Sequence, residues 1–407
     1  MISRREFLQR TGLGVLGASA LPAFARRALA EATASHKVFV LIFQRGAADG
    51  LSVVPPLGEP RYRALRPNLA LPAGGEGAAL ALDGFFGLHP ALAPLLPHYQ
   101  NGTLAILHQV GSPDPSRSHF DAQDYFELGT PGVKSDEGFL NRALGKAPAP
   151  APGPFRALAL QSNLPLSLQG PRPAVAINEL ADFDVARAGG GSFEDMYRIA
   201  VDTALRGVGD EAFSALHAIK QTGALAKNAE VEAGYPKGGL GRRLFELAAL
   251  LKAGQGVQIV ATDIGGWDTH VGQGADKGQL ANRLKELGSA LSAFAHDLGP
   301  RFGDVCVAVV TEFGRTVREN GTRGTDHGHG AAMLVLGGGV RGGRVLADWK
   351  SLDDANLYEG RDLPVTTDYR AALAALLTGH LGVRDIAAVF PGFPGSGAGP
   401  AGWPRLV

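Results

Sequence analysis

Residues 312–330 concentrate more reactive side chains than any other stretch of this sequence. They supply a carboxylate at Glu312, a guanidinium at Arg315, an aspartate at Asp326 and imidazoles at His327 and His329. Asp268 and His270 form a second group, an Asp-x-His pair, and Ser118, His119 and Asp49 stand in two further polar segments. Carboxylates mixed with imidazoles are the donor set of a divalent cation, Zn²⁺, Mn²⁺, Ca²⁺ or Mg²⁺, whose charge stabilises an oxyanion or acidifies a water. Ser118 and His119 are read as nucleophile or base, and Arg117 and Arg315 as holders of an anionic group. Plainer roles compete: Asp49-Gly50 is an ordinary turn pair, Asp326 can cap a turn, and Glu312 with Arg315 can form a structural ion pair. A serine hydrolase of the α/β type is disfavoured, because no Gly-x-Ser-x-Gly elbow follows a strand.

The elements around these residues explain why they should meet. Lys37–Phe43, Thr103–His108, Val257–Ala261 and Asp304–Val310 are short apolar runs, each followed by a polar, glycine-bearing loop: 44–50, 109–119, 262–270 and 311–330. Continuous apolar runs of this length predict buried parallel strands, and the carboxyl ends of parallel strands share one edge. A further strand is expected at Ala331–Leu336, a short pair at Ala157–Gln161 and Ala174–Asn178, and helices at Phe120–Leu128, 193–227, 239–253 and Leu280–Leu298. Strands alternating with helices predict an α/β fold with a mostly parallel central sheet. The stretch 150–250 reads as an inserted or capping helical lobe.

The N-terminus carries Ser3-Arg4-Arg5-Glu6-Phe7-Leu8, a modest apolar stretch to Phe24 and a small-residue site at Ala28-Leu29-Ala30. This order predicts a cleaved twin-arginine leader over 1–30, a partnership with the translocation machinery, and a periplasmic or otherwise exported protein with one domain over 31–407. The apolar stretch falls short of the ~20 residues that span a bilayer, so no stable membrane span is expected after cleavage. The formal net charge of zero gives no basic excess for nucleic acid. The single cysteine, Cys306, rules out an intrachain disulfide.

Several segments together resemble one family. They are Gln44-Arg45-Gly46-Ala47-Ala48-Asp49-Gly50, Gly87-Leu88-His89-Pro90-Ala91-Leu92, Arg117-Ser118-His119-Phe120-Asp121-Ala122-Gln123-Asp124, Gly265-Gly266-Trp267-Asp268-Thr269-His270, Thr311-Glu312-Phe313-Gly314-Arg315-Thr316 and Gly324-Thr325-Asp326-His327-Gly328-His329-Gly330. On these motifs the chain resembles the bacterial, twin-arginine-exported family of domain of unknown function 1501. It also resembles, more distantly, the alkaline phosphatase and sulfatase superfamily, which implies a three-layer fold with metals at the carboxyl edge of the sheet. That resemblance implies roles for Asp268 and His270 as the later Asp…His pair, Glu312 near a carboxylate position, and His327 or His329 as the final histidine. Gln44 departs from it where the first strand should deliver an Asp, and Pro113 departs where a nucleophile should stand. The expectation is therefore an exported metal-dependent hydrolase of sulfate or phosphate esters. The alternative is a non-catalytic binding or surface-assembly protein with a vestigial site.

Overall fold

The computed structural model describes residues 37–148, 155–178, 180, 229–395 and 405–407. The leader over 1–30 and the helix expected over 193–227 lie outside the described residues. The strands are β1 (Val38–Gln44), β2 (Leu80–Ala81), β3 (Gly87–Leu88), β4 (Leu104–Gly111), β5 (Ala157–Ala159), β6 (Val175–Ala176), β7 (Ile259–Ile264), β8 (Val305–Val310), β9 (Ala331–Gly337), β10 (Arg344–Leu346) and β11 (Thr367–Asp368). β2 and β3 form a small hairpin; the others build one sheet in the order β10-β4-β9-β8-β1-β7-β5-β6, with β11 beside β4.

β1 is central because its seven residues, Val-Phe-Val-Leu-Ile-Phe-Gln, are all buried. Phe39, Leu41 and Phe43 face one apolar layer and Val38, Val40 and Ile42 the other. It pairs in parallel with both β7 and β8. Only β9 runs against its neighbours β8 and β4. β8 therefore ends, and β9 begins, on the edge where β1, β4 and β7 also end. The long loop 311–330 leaves and returns to that edge.

Helices cover both faces. Helix α1 (His119–Leu128), α2 (Phe139–Lys146) and α5 (Tyr369–Leu381) bury Phe126, Leu140, Leu144, Leu373 and Leu377 on one side. Helices α3 (Gly239–Lys252) and α4 (Gln279–Leu298) bury Leu244, Leu247, Leu284, Leu287 and Leu291 on the other. Leucines at three- and four-residue spacing give each helix one apolar stripe to lay on the sheet. The result is a three-layer α/β arrangement. The stretch 150–250 does not stand apart at its described ends: β5 and β6 extend the central sheet and α3 lies on its face. Among the described residues no helix is long and apolar enough to cross a membrane.

Two histidines are built into this core as neutral groups. His108, on β4, is fully buried against Phe86, with Nε2 on the Val54 carbonyl at 3.2 Å. His380, on α5, holds the Val38 carbonyl at 3.0 Å. Burial pushes each imidazole down to about 4. As pH falls from about 6.5 towards 4, the unfolded chain takes up these protons and the folded one does not, so stability must fall in that window, by roughly 3 kcal/mol for each group. The thermal midpoint is expected to drop steeply between pH 6.5 and 4.5, and less so in His380→Gln. A level midpoint across that range would contradict the assignment.

Candidate metal centre at the carboxyl edge of the sheet

The loops after β1, β4, β7 and β8 meet where the sheet order brings their carboxyl ends together. Tight backbone contacts hold them. A Cβ at Gly46, which has φ +116°, would lie 2.7 Å from the Asp268 amide nitrogen, and one at Gly324 would lie 2.2 Å from the His270 carbonyl oxygen. Only glycine lets the first and fourth loops approach the 265–270 loop this closely.

Arg315 fastens the assembly from inside. Its guanidinium is buried and donates to the carbonyls of Ala47, Thr325, Gly46 and Trp267, and to Asp268 Oδ1 at 2.6 Å. One side chain thus ties three loops together. Partial burial acts upwards, but the bond and charge of Arg315 outweigh it and hold the Asp268 carboxyl at about 2.

Around Asp268 Oδ1 stand three imidazole nitrogens: Nε2 of His270 at 2.9 Å, of His327 at 3.4 Å and of His119 at 3.5 Å. The Nδ1 atom of each ring is occupied elsewhere. His119 Nδ1 lies 2.7 Å from Glu312 Oε1, His270 Nδ1 lies 3.0 Å from Asp326 Oδ1, and His327 Nδ1 lies 2.8 Å from the Arg117 carbonyl. A carbonyl can only accept, so His327 carries its hydrogen on Nδ1. The two carboxyls are both held below their ordinary range. For Asp326 the bond from Asn320 acts first. For Glu312 burial acts upwards but is outweighed by bonds from His119, Gln123 and the backbone. Both are therefore acceptors too, and His119 and His270 likewise donate through Nδ1.

With Nδ1 so engaged, each ring turns its Nε2 towards a common point. His270 Nε2 and His327 Nε2 are 3.0 Å apart, and the His119 Nε2 is buried without a hydrogen-bond partner. Two lone pairs at that separation repel unless a positive charge is shared between them. The bond to Glu312, against some burial, raises the affinity of His119 for a proton. One donor atom each from His119, Asp268 and His327 lies within 4.8 Å of the others, close enough for a single ion.

The remaining residues singled out in the sequence take other places. Glu312 and Asp326, read as ligands, sit one bond further out, orienting His119 and His270. His119, read as base or nucleophile, aims its free nitrogen into the cluster. Asp49, also read as a ligand, is buried away from the imidazoles, with Oδ2 bonded to Arg66, Ser52 and Gln273. His329 turns away and stacks on Tyr358 at 4.5 Å. Arg315 is spent on carbonyls and Asp268 and has no edge left for an anion. Arg117 is paired with Glu359 and Asp362. Ser118 is exposed at the start of α1. Gln44 is buried with its amide nitrogen unpartnered.

Sequence reasoning gave no role to Gln123 or Asn320. Gln123 Nε2 bonds Glu312 at 2.9 Å, and Asn320 Nδ2 bonds Asp326 at 3.0 Å. The first was within reach, because Gln123 follows His119 by four residues and so shares its face of the helix.

The family described as protein of unknown function, DUF1501, matches residues 88–390, a span that holds all four cluster residues and their orienting partners. The chain belongs to DUF1501. A search of curated proteins found no match. In this DUF1501 chain the segments before residue 88 still reach the cluster, since the Gly46 amide bonds Glu312 at 2.9 Å.

Proposed function

We propose that this protein is an exported, metal-dependent hydrolase of sulfate or phosphate esters. One divalent cation would be held by Nε2 of His119, His270 and His327 and by Asp268. The observation that carries the reading is the locked orientation of three imidazoles, each with Nδ1 on an acceptor and Nε2 turned to one carboxylate oxygen. Metal-binding histidines are oriented in this way by carboxylates and carbonyls behind them. Three nitrogens with one oxygen suit Zn²⁺ or Mn²⁺ better than Ca²⁺ or Mg²⁺, which prefer all-oxygen shells.

A cation bound there supplies Lewis-acid stabilisation of charge developing on an ester group and makes a bound water more acidic. The chain's own residues fix the geometry. Arg315 keeps Asp268 ionised and immobile, Glu312 and Asp326 keep two rings in one tautomer, and Phe313 stacks on His119 at 5.0 Å to fix its plane. Arg315 also places a fixed positive charge at Asp268, which supports one cation there rather than two.

Metal analysis of the purified protein, with assays on aryl sulfates and aryl phosphates, tests the reading. About one Zn²⁺ or Mn²⁺ per chain and turnover of one ester class are expected. A protein that takes up no metal and turns over neither class would leave the non-catalytic alternative standing. The orienting residues give a finer test. Asp326→Ala should weaken metal affinity by about 10- to 100-fold, the usual effect of losing such a partner, without unfolding the protein. Unchanged affinity in a competition titration would count against the Nδ1 lock.

A further inference from the structure

Arg117 meets the cluster through its main chain and faces solvent through its side chain. Its carbonyl fixes His327, while its guanidinium lies 5.7 Å from the centre of the Tyr358 ring. On the inner edge, Nε and Nη2 donate to Asp362 Oδ2 at 3.1 and 2.7 Å. Asp362 is fully buried and also takes two bonds from Arg361, whose Nη2 in turn holds the His327 carbonyl at 3.0 Å. The outer edge of Arg117 is served by a single bond, from Nη2 to Glu359 Oε2 at 2.6 Å; Nη1 has no partner among the described residues.

Glu359 is unusual in two respects. Its backbone has φ +54°, a left-handed conformation that is costly for a residue with a Cβ. Its side chain is 56% exposed, and its hydrogen bond among the described residues is the one to Arg117. Arg117 and Arg361 against Asp362 and Glu359 sum to zero charge. Withdrawal of Glu359 leaves a net charge of +1 and an open guanidinium edge with two donors, the geometry that holds a sulfate or phosphate bidentately.

We propose that the outer edge of Arg117, beside Tyr358, is a seat for a tetrahedral oxyanion, and that the Glu359 carboxylate is its displaceable occupant. The natural ligand, the charged group of an ester, rests on the hydrolase reading; the seat does not. An anion that enters exchanges one carboxylate bond for two of its own.

Calorimetric titration of the full chain with inorganic sulfate tests this, with and without prior removal of divalent ions by a chelator. Glu359→Ala should bind sulfate about two- to fivefold more tightly than the wild type, the range that one exposed ion pair is worth. Glu359→Gln, which keeps the loop's side-chain length, should fall between. Adding Arg117→Lys should abolish the gain, since an ammonium offers no bidentate edge, while His327 keeps its main-chain bond. Equal affinity in wild type and Glu359→Ala would overturn the proposal, as would a gain that survives Arg117→Lys. Sulfate binding that disappears on metal removal, with Glu359→Ala no tighter, would assign the anion to the imidazole cluster and overturn it too. Tighter sulfate binding in Glu359→Ala without any ester turnover would overturn the hydrolase reading alone.

Discussion

His327→Ala should reduce bound metal from about one ion per chain to a small fraction and lower ester turnover by at least ~10³-fold. The ring contributes an Nε2 within 3.0 Å of His270 and 3.4 Å of Asp268, so its loss opens the centre of the donor set rather than its rim. Stabilisation by a bound cation accounts for several kcal/mol of a barrier, which is the origin of the expected magnitude. The fold should survive, because His327 is only half-buried and leaves a space that solvent can fill. Metal content by mass spectrometry, the circular dichroism spectrum and turnover, measured on the same preparation, separate the outcomes. Full metal content in the variant would show that the imidazoles are not a ligand set.

Arg315→Met should destabilise the protein by about 3–5 kcal/mol, because it strands several buried carbonyls, each costing roughly 1–3 kcal/mol when left unpaired. The side chain is fully buried and its removal leaves the carbonyls of Gly46, Ala47 and Thr325 without their donor, besides freeing Asp268. Arg315→Lys should recover little, because an ammonium cannot reach three loops at once. Denaturant unfolding gives the measurement. A loss below about 1 kcal/mol would mean that the glycine contacts between the loops hold the edge together without the guanidinium.

Much of the sheet was legible because its strands are buried on both faces and so read as unbroken apolar runs. The runs at Lys37–Phe43, Val257–Ala261, Asp304–Val310 and Ala331–Leu336 fall on β1, β7, β8 and β9 within one to three residues at each end. Strand direction was not legible: β9 looks like its parallel neighbours in composition, and only the short path of 311–330 back to the same edge makes it antiparallel. β10 and β11, of three and two residues, are too short to show a period. The 239–253 helix was found, but its attachment to the main body depends on partners far away in sequence.

At the site, residue types were legible and their order was not. Glu312 and Asp268 are both carboxylates at strand ends. Only the fold shows that Glu312 is buried, with Oε1 receiving Gly46, His119 and Gln123, while Asp268 stays half-open among the rings. His327 and His329 are two residues apart, yet the backbone pairs Arg315 with His327 and sends His329 to Tyr358. His119 sits far from the other three residues of the cluster in sequence and joins them because β4 ends on the same edge.

That separation has a thermodynamic consequence. The four donors come from positions 119, 268, 270 and 327, so an unfolded chain offers no comparable site. A cation that binds there binds the native state alone, and mass action then adds its full weight to the folding equilibrium: about 4 kcal/mol at a free concentration a thousandfold above the dissociation constant. His327, the last of the four in sequence, lies on the loop that joins β8 to β9. Metal uptake would therefore report that the carboxyl edge is complete, and chelation would lower the unfolding temperature of the whole domain rather than loosen one loop.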